Sequence, residues 1–257
     1  MATFLFDEII FGPVRSRRLG VSLGVNLLPT NSKVCSFNCI YCECGWTKSA
    51  SSGKLPTRTE VKQKMVERLE SMKANGDMLD VITFAGNGEP TLHPDFEGII
   101  DDTIELRDKY FAQARVAVLS NSSMLHKQSV VNALKKVDQN ILKLDSAFDS
   151  TIQILNQPNK PTAAHQVVEH LEQFNGNFIL QTLFVRGGYK GKELDNTTEK
   201  EVEQWLSIVK KLMPKEVMIY TIARDTPIEA LTKVPVSDLE DIADRVRALG
   251  IPVQVSG

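Results

Sequence analysis

The chain has 257 residues, 42% of them hydrophobic, which allows a sizeable core and excludes wholesale disorder. Its 30 basic and 32 acidic residues leave a net charge of −2, which excludes a generic, strongly basic polyanion binder. Residues 1–60 nevertheless carry seven basic and four acidic side chains, a net of +3. All four cysteines lie within ten residues, at Cys35, Cys39, Cys42 and Cys44. A disulfide framework would spread them to staple distant segments, so the cluster points to a metal or redox centre.

In chain order, the first stretch (MATFLFDEIIFGP) has acids where a signal peptide needs basic residues. No apolar run approaches the ~18 residues of a membrane span. The expectation is a cytoplasmic protein with no membrane partner. Arg15, Arg17 and Arg18 follow, and read either as binders of a substrate phosphate or carboxylate or as a solvated face. Val21–Leu28 is the first apolar run rich in strand formers. It leads into the cysteines and then a Ser/Gly-rich loop at 49–53. Six more such runs follow, at Asp80–Ala85, Arg115–Ser120, Ile141–Asp145, Phe178–Val185, Val217–Ile222 and Pro252–Val255. Their continuous hydrophobicity suits strands covered on both faces.

Helical stretches separate these runs. Thr57–Glu60, Thr198–Glu201 and Ser237–Glu240 each fit a capping box, with apolar residues at helical spacing after them. Those apolar stripes are expected to be core. The segment 156–161 (NQPNKP) is a turn-rich loop, and Gly187–Asn196 reads as a polar, glycine-rich lid. Arg186, Arg224 and Asp225 fall at the ends of late strands, where a substrate would sit. Strand–helix alternation implies a parallel sheet with right-handed crossovers, and six or seven such units suggest a complete or partial barrel. One domain is expected over 1–257, with an N-terminal extension (1–20), a core (21–225) and a C-terminal helix and strand (226–257).

Cys35, Cys39 and Cys42 form a C-x3-C-x2-C array on the loop after the first strand. Structural zinc normally takes two separated pairs and four protein ligands. Here a second pair is missing and no histidine lies within 50 residues of Cys42. Three thiolates are one short of a closed iron–sulfur cluster and leave one iron open to an outside ligand. A zinc module or a simple iron–sulfur electron carrier is the alternative, and either would use Cys44 as a fourth ligand. Otherwise Cys44 is a small semi-buried residue or a redox-active thiol.

This array, with Tyr41 before its third cysteine, resembles the signature of the radical S-adenosylmethionine (radical SAM) superfamily. Phe84–Pro94 (FAGNGEPTLHP), at the end of the second βα strand, resembles that superfamily's GGEP-type segment. With Ser16–Gly24 (SRRLGVSLG), it is similar to a compact subgroup of iron–sulfur oxidoreductases distantly similar to wyosine-base and molybdopterin-precursor enzymes. The resemblance implies a partial (β/α)6 TIM barrel in which Cys35, Cys39 and Cys42 hold a [4Fe–4S] cluster. It implies that S-adenosylmethionine (SAM) takes the open iron and is cleaved to a 5′-deoxyadenosyl radical that abstracts a substrate hydrogen. The cofactor carries the hard step.

SAM would then meet Gly86, Asn87, Gly88, Glu89 and Pro90 through its ammonium, and Ser120 and Asn121 through its ribose. Tyr41 and Ile222 would flank adenine, Lys143 would meet the methionine carboxylate, and Asp145 the ribose or substrate. An external one-electron reductant of flavodoxin or ferredoxin type is implied, together with a substrate that is a small molecule or an RNA base. The +3 N-terminal segment permits RNA, and the overall charge gives it no support. The absence of cysteine after residue 44 leaves no ligands for a second cluster.

Overall fold

Each of the seven apolar runs forms a strand, and the strands lie side by side. The structure is a computed structural model that describes residues 4–16, 18–47, 53–224 and 226–257. The strands are β1 (Ile10–Ser16), β2 (Gly20–Val25), β3 (Val81–Phe84), β4 (Arg115–Ser120), β5 (Gln139–Lys143), β6 (Ile179–Leu183), β7 (Val185–Tyr189), β8 (Lys192–Asp195), β9 (Glu216–Tyr220), β10 (Leu231–Lys233) and β11 (Val253–Ser256). The main sheet runs β1-β2-β3-β4-β5-β6-β9-β11. From β2 onward every pairing is parallel. β1, which falls in the expected N-terminal extension, adds antiparallel to the edge of β2. The sheet curls into a partial barrel. Across the seam between its open edges Gln254 Nε2 of β11 donates to the Arg18 carbonyl at 3.2 Å.

The helices α1 (Arg58–Asn75), α2 (Phe96–Tyr110), α3 (Gln128–Lys136), α4 (Asp149–Leu155), α5 (Ala164–Glu172), α6 (Glu199–Leu212) and α7 (Val236–Arg247) follow the strands. Thr57 caps α1 through a full capping box with Glu60, and Thr198 accepts from Glu201 N at the start of α6. The predicted helical stripes are buried: Val61, Met65, Leu69 and Met72 on α1, and Val202, Trp205, Val209 and Leu212 on α6. Trp205 Nε1 donates to Thr182 Oγ1 of β6 at 3.1 Å, so the bulkiest core side chain also satisfies its polar atom. Among the described residues no helix is long and apolar enough to cross a membrane.

Two local expectations are corrected. Ser237 lies inside α7, whose cap position is Pro235, and its hydroxyl bonds Asp238. Proline sets the extended backbone there, so the helix starts one residue before the expected cap. The stretch Gly187–Asn196 is no loose lid. It forms most of the hairpin β7–β8, which β10 extends to a three-stranded antiparallel sheet.

Along β6 the side chains alternate. Leu180 packs with the outer core and Thr182 meets Trp205, while Ile179 joins Val81, Ala117, Ile141 and Met218 inside the barrel. Above that small apolar floor the inner wall turns polar, with Ser22 and Thr83 bonded at 2.8 Å, then Lys143, Gln181 and Tyr220. A wall of this kind encloses a cavity at the C-terminal ends of the strands, where function gathers in barrels of parallel strands.

Candidate functional site

The loop after β2 is held on both sides. On one side Val34 pairs in parallel with Gly88: Val34 N donates to Asn87 O at 2.9 Å, and Glu89 N to Val34 O at 3.1 Å. Gly88 has φ +136°, and a Cβ there would sit 1.8 Å from the Val34 carbonyl oxygen, so this approach requires glycine. On the other side, the end of α4 and the loop after it clamp the cysteines. Asn38 N donates to Asn156 O at 3.0 Å, Ile40 N to Leu155 O at 3.0 Å, and Asn159 N to Ser36 O at 2.9 Å. Ile40 is fully buried and anchors the loop.

The loop presents Cys35, Cys39, Cys42 and Cys44 to one cavity of about 330 Å³. Donors surround the sulfurs. Phe37 N and Asn121 Nδ2 lie 3.4 and 3.5 Å from Cys35 Sγ, and Asn156 Nδ2 lies 3.5 Å from Cys39 Sγ. Lys33, only 3% exposed, donates to the Gly45 carbonyl at 2.8 Å and brings a buried positive charge to the thiols. Burial pushes the Cys35 thiol up to about 12, with the Glu89 carboxylate adding to it. Cys42 is pulled down to about 5 by a hydrogen bond from Cys44 against the effect of its own burial, with Lys33 assisting. Cys44 is raised by the same bond, and its thiol also has the Gly86 carbonyl within 3.5 Å.

The donor set fits an iron–sulfur cluster. Four thiols reach one cavity from one short loop, those of the C-x3-C-x2-C array among them, with N–H donors and a buried ammonium to stabilise thiolate charge. Among the described residues no group of three or more His, Cys, Asp or Glu side chains suits a single metal ion. Cubane ligation asks for something different, since each thiolate meets its own iron.

Around the thiols the cavity is lined by Gly86, Gly88 and Glu89 after β3, and by Ser120 and Asn121 at the end of β4. Glu89 is buried, and its carboxylate accepts from Thr91 N at 3.1 Å, Ser120 Oγ at 2.9 Å and Asn121 N at 2.6 Å. Burial nevertheless raises its pKa, these donors opposing. Tyr41, Lys143 and Ile222 also line the cavity, as do Arg18 and Arg224. Arg224 is paired to Glu43 at 2.8 Å.

Other expected residues lie elsewhere. Asn87 is fully buried beneath the cavity wall, bonding both backbone groups of Phe6 and the Pro29 carbonyl, so it fastens the N-terminal segment. Pro90 starts a short 3-10 turn (Pro90–Leu92) behind Glu89. Asp145 has a fully buried side chain whose oxygens are taken by Tyr41 Oη, Asn156 Nδ2 at 2.7 Å, Leu183 N at 2.9 Å and Lys143 Nζ at 3.4 Å. Arg15 is an exposed residue of β1. Arg186 turns away to Asp238 at 2.8 Å and Asp195 at 3.4 Å, binding the hairpin to α7. Arg17 and Asp225 lie outside the described residues.

Sequence reasoning did not single out Lys33, Asn156, Gln181 or Tyr220. Lys33 looks like any surface lysine, and Asn156 stood only within a turn-rich loop. The alternation along β6 and the end of β9 were the signals that could have found the other two.

The model of the radical SAM superfamily matches residues 32–200. Among solved structures, a radical SAM methyltransferase from Sphaerobacter thermophilus has a TM-score of 0.67 at 16% identity, over 91% of this chain and 65% of that one. Native anSMEcpe with bound AdoMet has a TM-score of 0.57 at 16% identity, over 90% and 63%. Among curated relatives, the GTPase Obg of Brachyspira hyodysenteriae is 33% identical over 224 residues, 86% of this chain. The chain spans 31% of that relative's length. A UPF0026 protein of Methanocaldococcus jannaschii is 29% identical over 232 residues, 88% of this chain and 67% of that one. The matched family uses a [4Fe–4S] cluster and SAM. With its three-cysteine loop and Gly86–Glu89 segment inside the matched span, and with the curled parallel sheet that carries them, the chain belongs to the radical SAM superfamily.

Proposed function

We propose that Cys35, Cys39 and Cys42 ligate the cluster and that SAM occupies the remainder of the same cavity. The observation that carries this reading is the Val34–Gly88 bridge, which holds the cysteine loop against the glycine segment so that both face one space. When bound, the reduced cluster supplies the electron that cleaves SAM to methionine and a 5′-deoxyadenosyl radical. The chain's own residues bind and orient. Backbone carbonyls at Gly86 and Gly88, with no side chain to block them, accept from the SAM ammonium. Ser120 and Asn121 meet the ribose hydroxyls, and Ile222 offers apolar contact to adenine beside Tyr41. Lys33 and the sulfur-facing amides of Asn121 and Asn156 balance cluster charge.

The electron comes from an external reductant, which we place in the flavodoxin or ferredoxin class. The hydrogen is taken from a small-molecule substrate in the barrel. The test is anaerobic reconstitution with iron and sulfide, then incubation with dithionite and SAM. The protein is expected to hold about four irons, the number in one cubane, and to release 5′-deoxyadenosine. A colourless protein that binds zinc, loses it on Cys44→Ala and never cleaves SAM would overturn the reading.

A further inference from the structure

The inner wall of the barrel carries polar groups that this account of the cluster and SAM does not use. Lys143 and Gln181 are directly paired across β5 and β6. Lys143 Nζ donates to Tyr220 Oη at 2.8 Å, and the Arg18 guanidinium stacks over the Tyr220 ring at 4.8 Å from its centroid. All four residues line the cavity.

Three features point to a ligand. Gln181 is 3% exposed and faces inward by the alternation of β6, yet its amide makes no side-chain hydrogen bond among the described residues. An amide that opens on a cavity without a protein partner is available to whatever group fills that cavity. Lys143 has three N–H groups, one well placed on Tyr220 and one on Asp145 at 3.4 Å, so donor capacity remains. Tyr220, accepting from Lys143, keeps its own proton to donate. Asp145, which Lys143 bonds, has its oxygens committed to Tyr41, Asn156, Leu183 and Lys143 and does not line the cavity, and Glu43, which does, is paired to Arg224. Glu89 lies behind its own set of donors. Among the described residues the row is thus rich in donors and poor in free acceptors.

We propose that Arg18, Lys143, Gln181 and Tyr220 form an oxyanion subsite that holds a carboxylate or phosphate group of the substrate inside the barrel. This rests on the radical SAM reading above and adds the substrate class. Two cations with a phenol and an amide provide point charge and directed N–H and O–H donors for a negatively charged group. The group would be anchored on β5, β6, β9 and the seam, while the thiols and glycines lie after β2 and β3. The substrate would therefore be clamped at its charged end, leaving its reacting carbon to face the cofactor.

The test is calorimetric titration of the reconstituted, SAM-loaded protein with malonate and, separately, inorganic phosphate, with malonamide as the neutral control. The same titrations on protein without cluster or SAM read the anion site alone. At least one anion is expected to bind and malonamide is not, and the better anion shows whether carboxylate or phosphate is preferred. Gln181→Leu and Arg18→Met should each weaken anion binding by roughly tenfold, the loss of one hydrogen bond to a charge. SAM affinity and cluster absorbance should stay unchanged. No anion binding by the wild type, or binding indifferent to both variants, would overturn the proposal. So would loss of SAM affinity in the same variants, which would give the row to the methionine carboxylate. Anion binding by a protein that never takes up SAM would instead count against the proposed function. Arg18→Met lies at the half-buried seam and, with thermal melts, guards against a Gln181 variant that fails to fold.

Discussion

Asn156 shows how much one side chain outside the motif can hold together. Its amide reaches Cys39 Sγ at 3.5 Å, Tyr41 Oη at 3.1 Å and Asp145 Oδ2 at 2.7 Å, and its carbonyl accepts from Asn38 N. Asn156→Ala leaves the buried Asp145 carboxylate short of a donor, which costs on the order of 1–3 kcal/mol. The expected outcome is a lower melting temperature together with weaker retention of iron, read by iron content after gel filtration. An unchanged iron content would mean that the amide does not orient the loop. Nothing in the sequence marks this residue, because its partners lie up to 117 positions away and meet it only where α4 ends. That Cys35, Cys39 and Cys42 sit together on one loop was legible because their spacing is local, and the structure opens that loop on one cavity. Lys143 was visible as a cation at a strand end, but its contact with Tyr220 depends on β5 and β9 flanking β6.

At the scale of elements, capping and polar locks decide where helices begin and how they pair. Asp102 on α2 takes Arg58 Nε at 2.6 Å and Nη2 at 3.0 Å, with Lys62 at 3.1 Å, and so clamps α1 to α2. The Arg58 hydrogen bonds outweigh partial burial and, with Lys62 helping, hold the Asp102 carboxyl below its ordinary range. A carboxyl depressed on folding contributes stability above its unfolded pKa of about 3.9, and that contribution is lost as pH falls through the lower folded value. Asp102→Asn should therefore cost about 1–2 kcal/mol near neutral pH, and the gap from wild type should close as pH drops below about 4. Urea melts at pH 7 and pH 3 check this. A gap that widens in acid would contradict the assignment.

The same scale shows where sequence patterns mislead. Thr57 starts α1 with the full motif and Thr198 caps α6 with its half alone, the Glu201 carboxylate accepting instead from Ser146 and Thr151, while Ser237 fits the motif yet lies past a proline that already sets the cap position. The β7–β8 hairpin is hard to read because Gly187 and Gly188 interrupt one strand and Lys192–Asp195 shows little alternation.

At the scale of the whole molecule, seven continuous apolar runs gave the parallel sheet, and its curl makes distant strand ends into one cavity. The edge strand β1 escaped the pattern because Gly12 and Pro13 interrupt its apolar run and Pro13, Val14 and Arg15 are exposed. On the proposed function the barrel would separate two tasks: a loop after β2 for the metal and an inner wall for what reacts. The most direct test of this division is electron paramagnetic resonance of the dithionite-reduced, reconstituted protein, recorded with and without SAM. The account predicts a reduced-cluster signal that changes shape when SAM is added, in wild type and in Cys44→Ala alike, and no such signal in Cys39→Ala. A cluster signal indifferent to SAM, or one lost with Cys44, would contradict a three-thiolate cluster with an iron open to SAM.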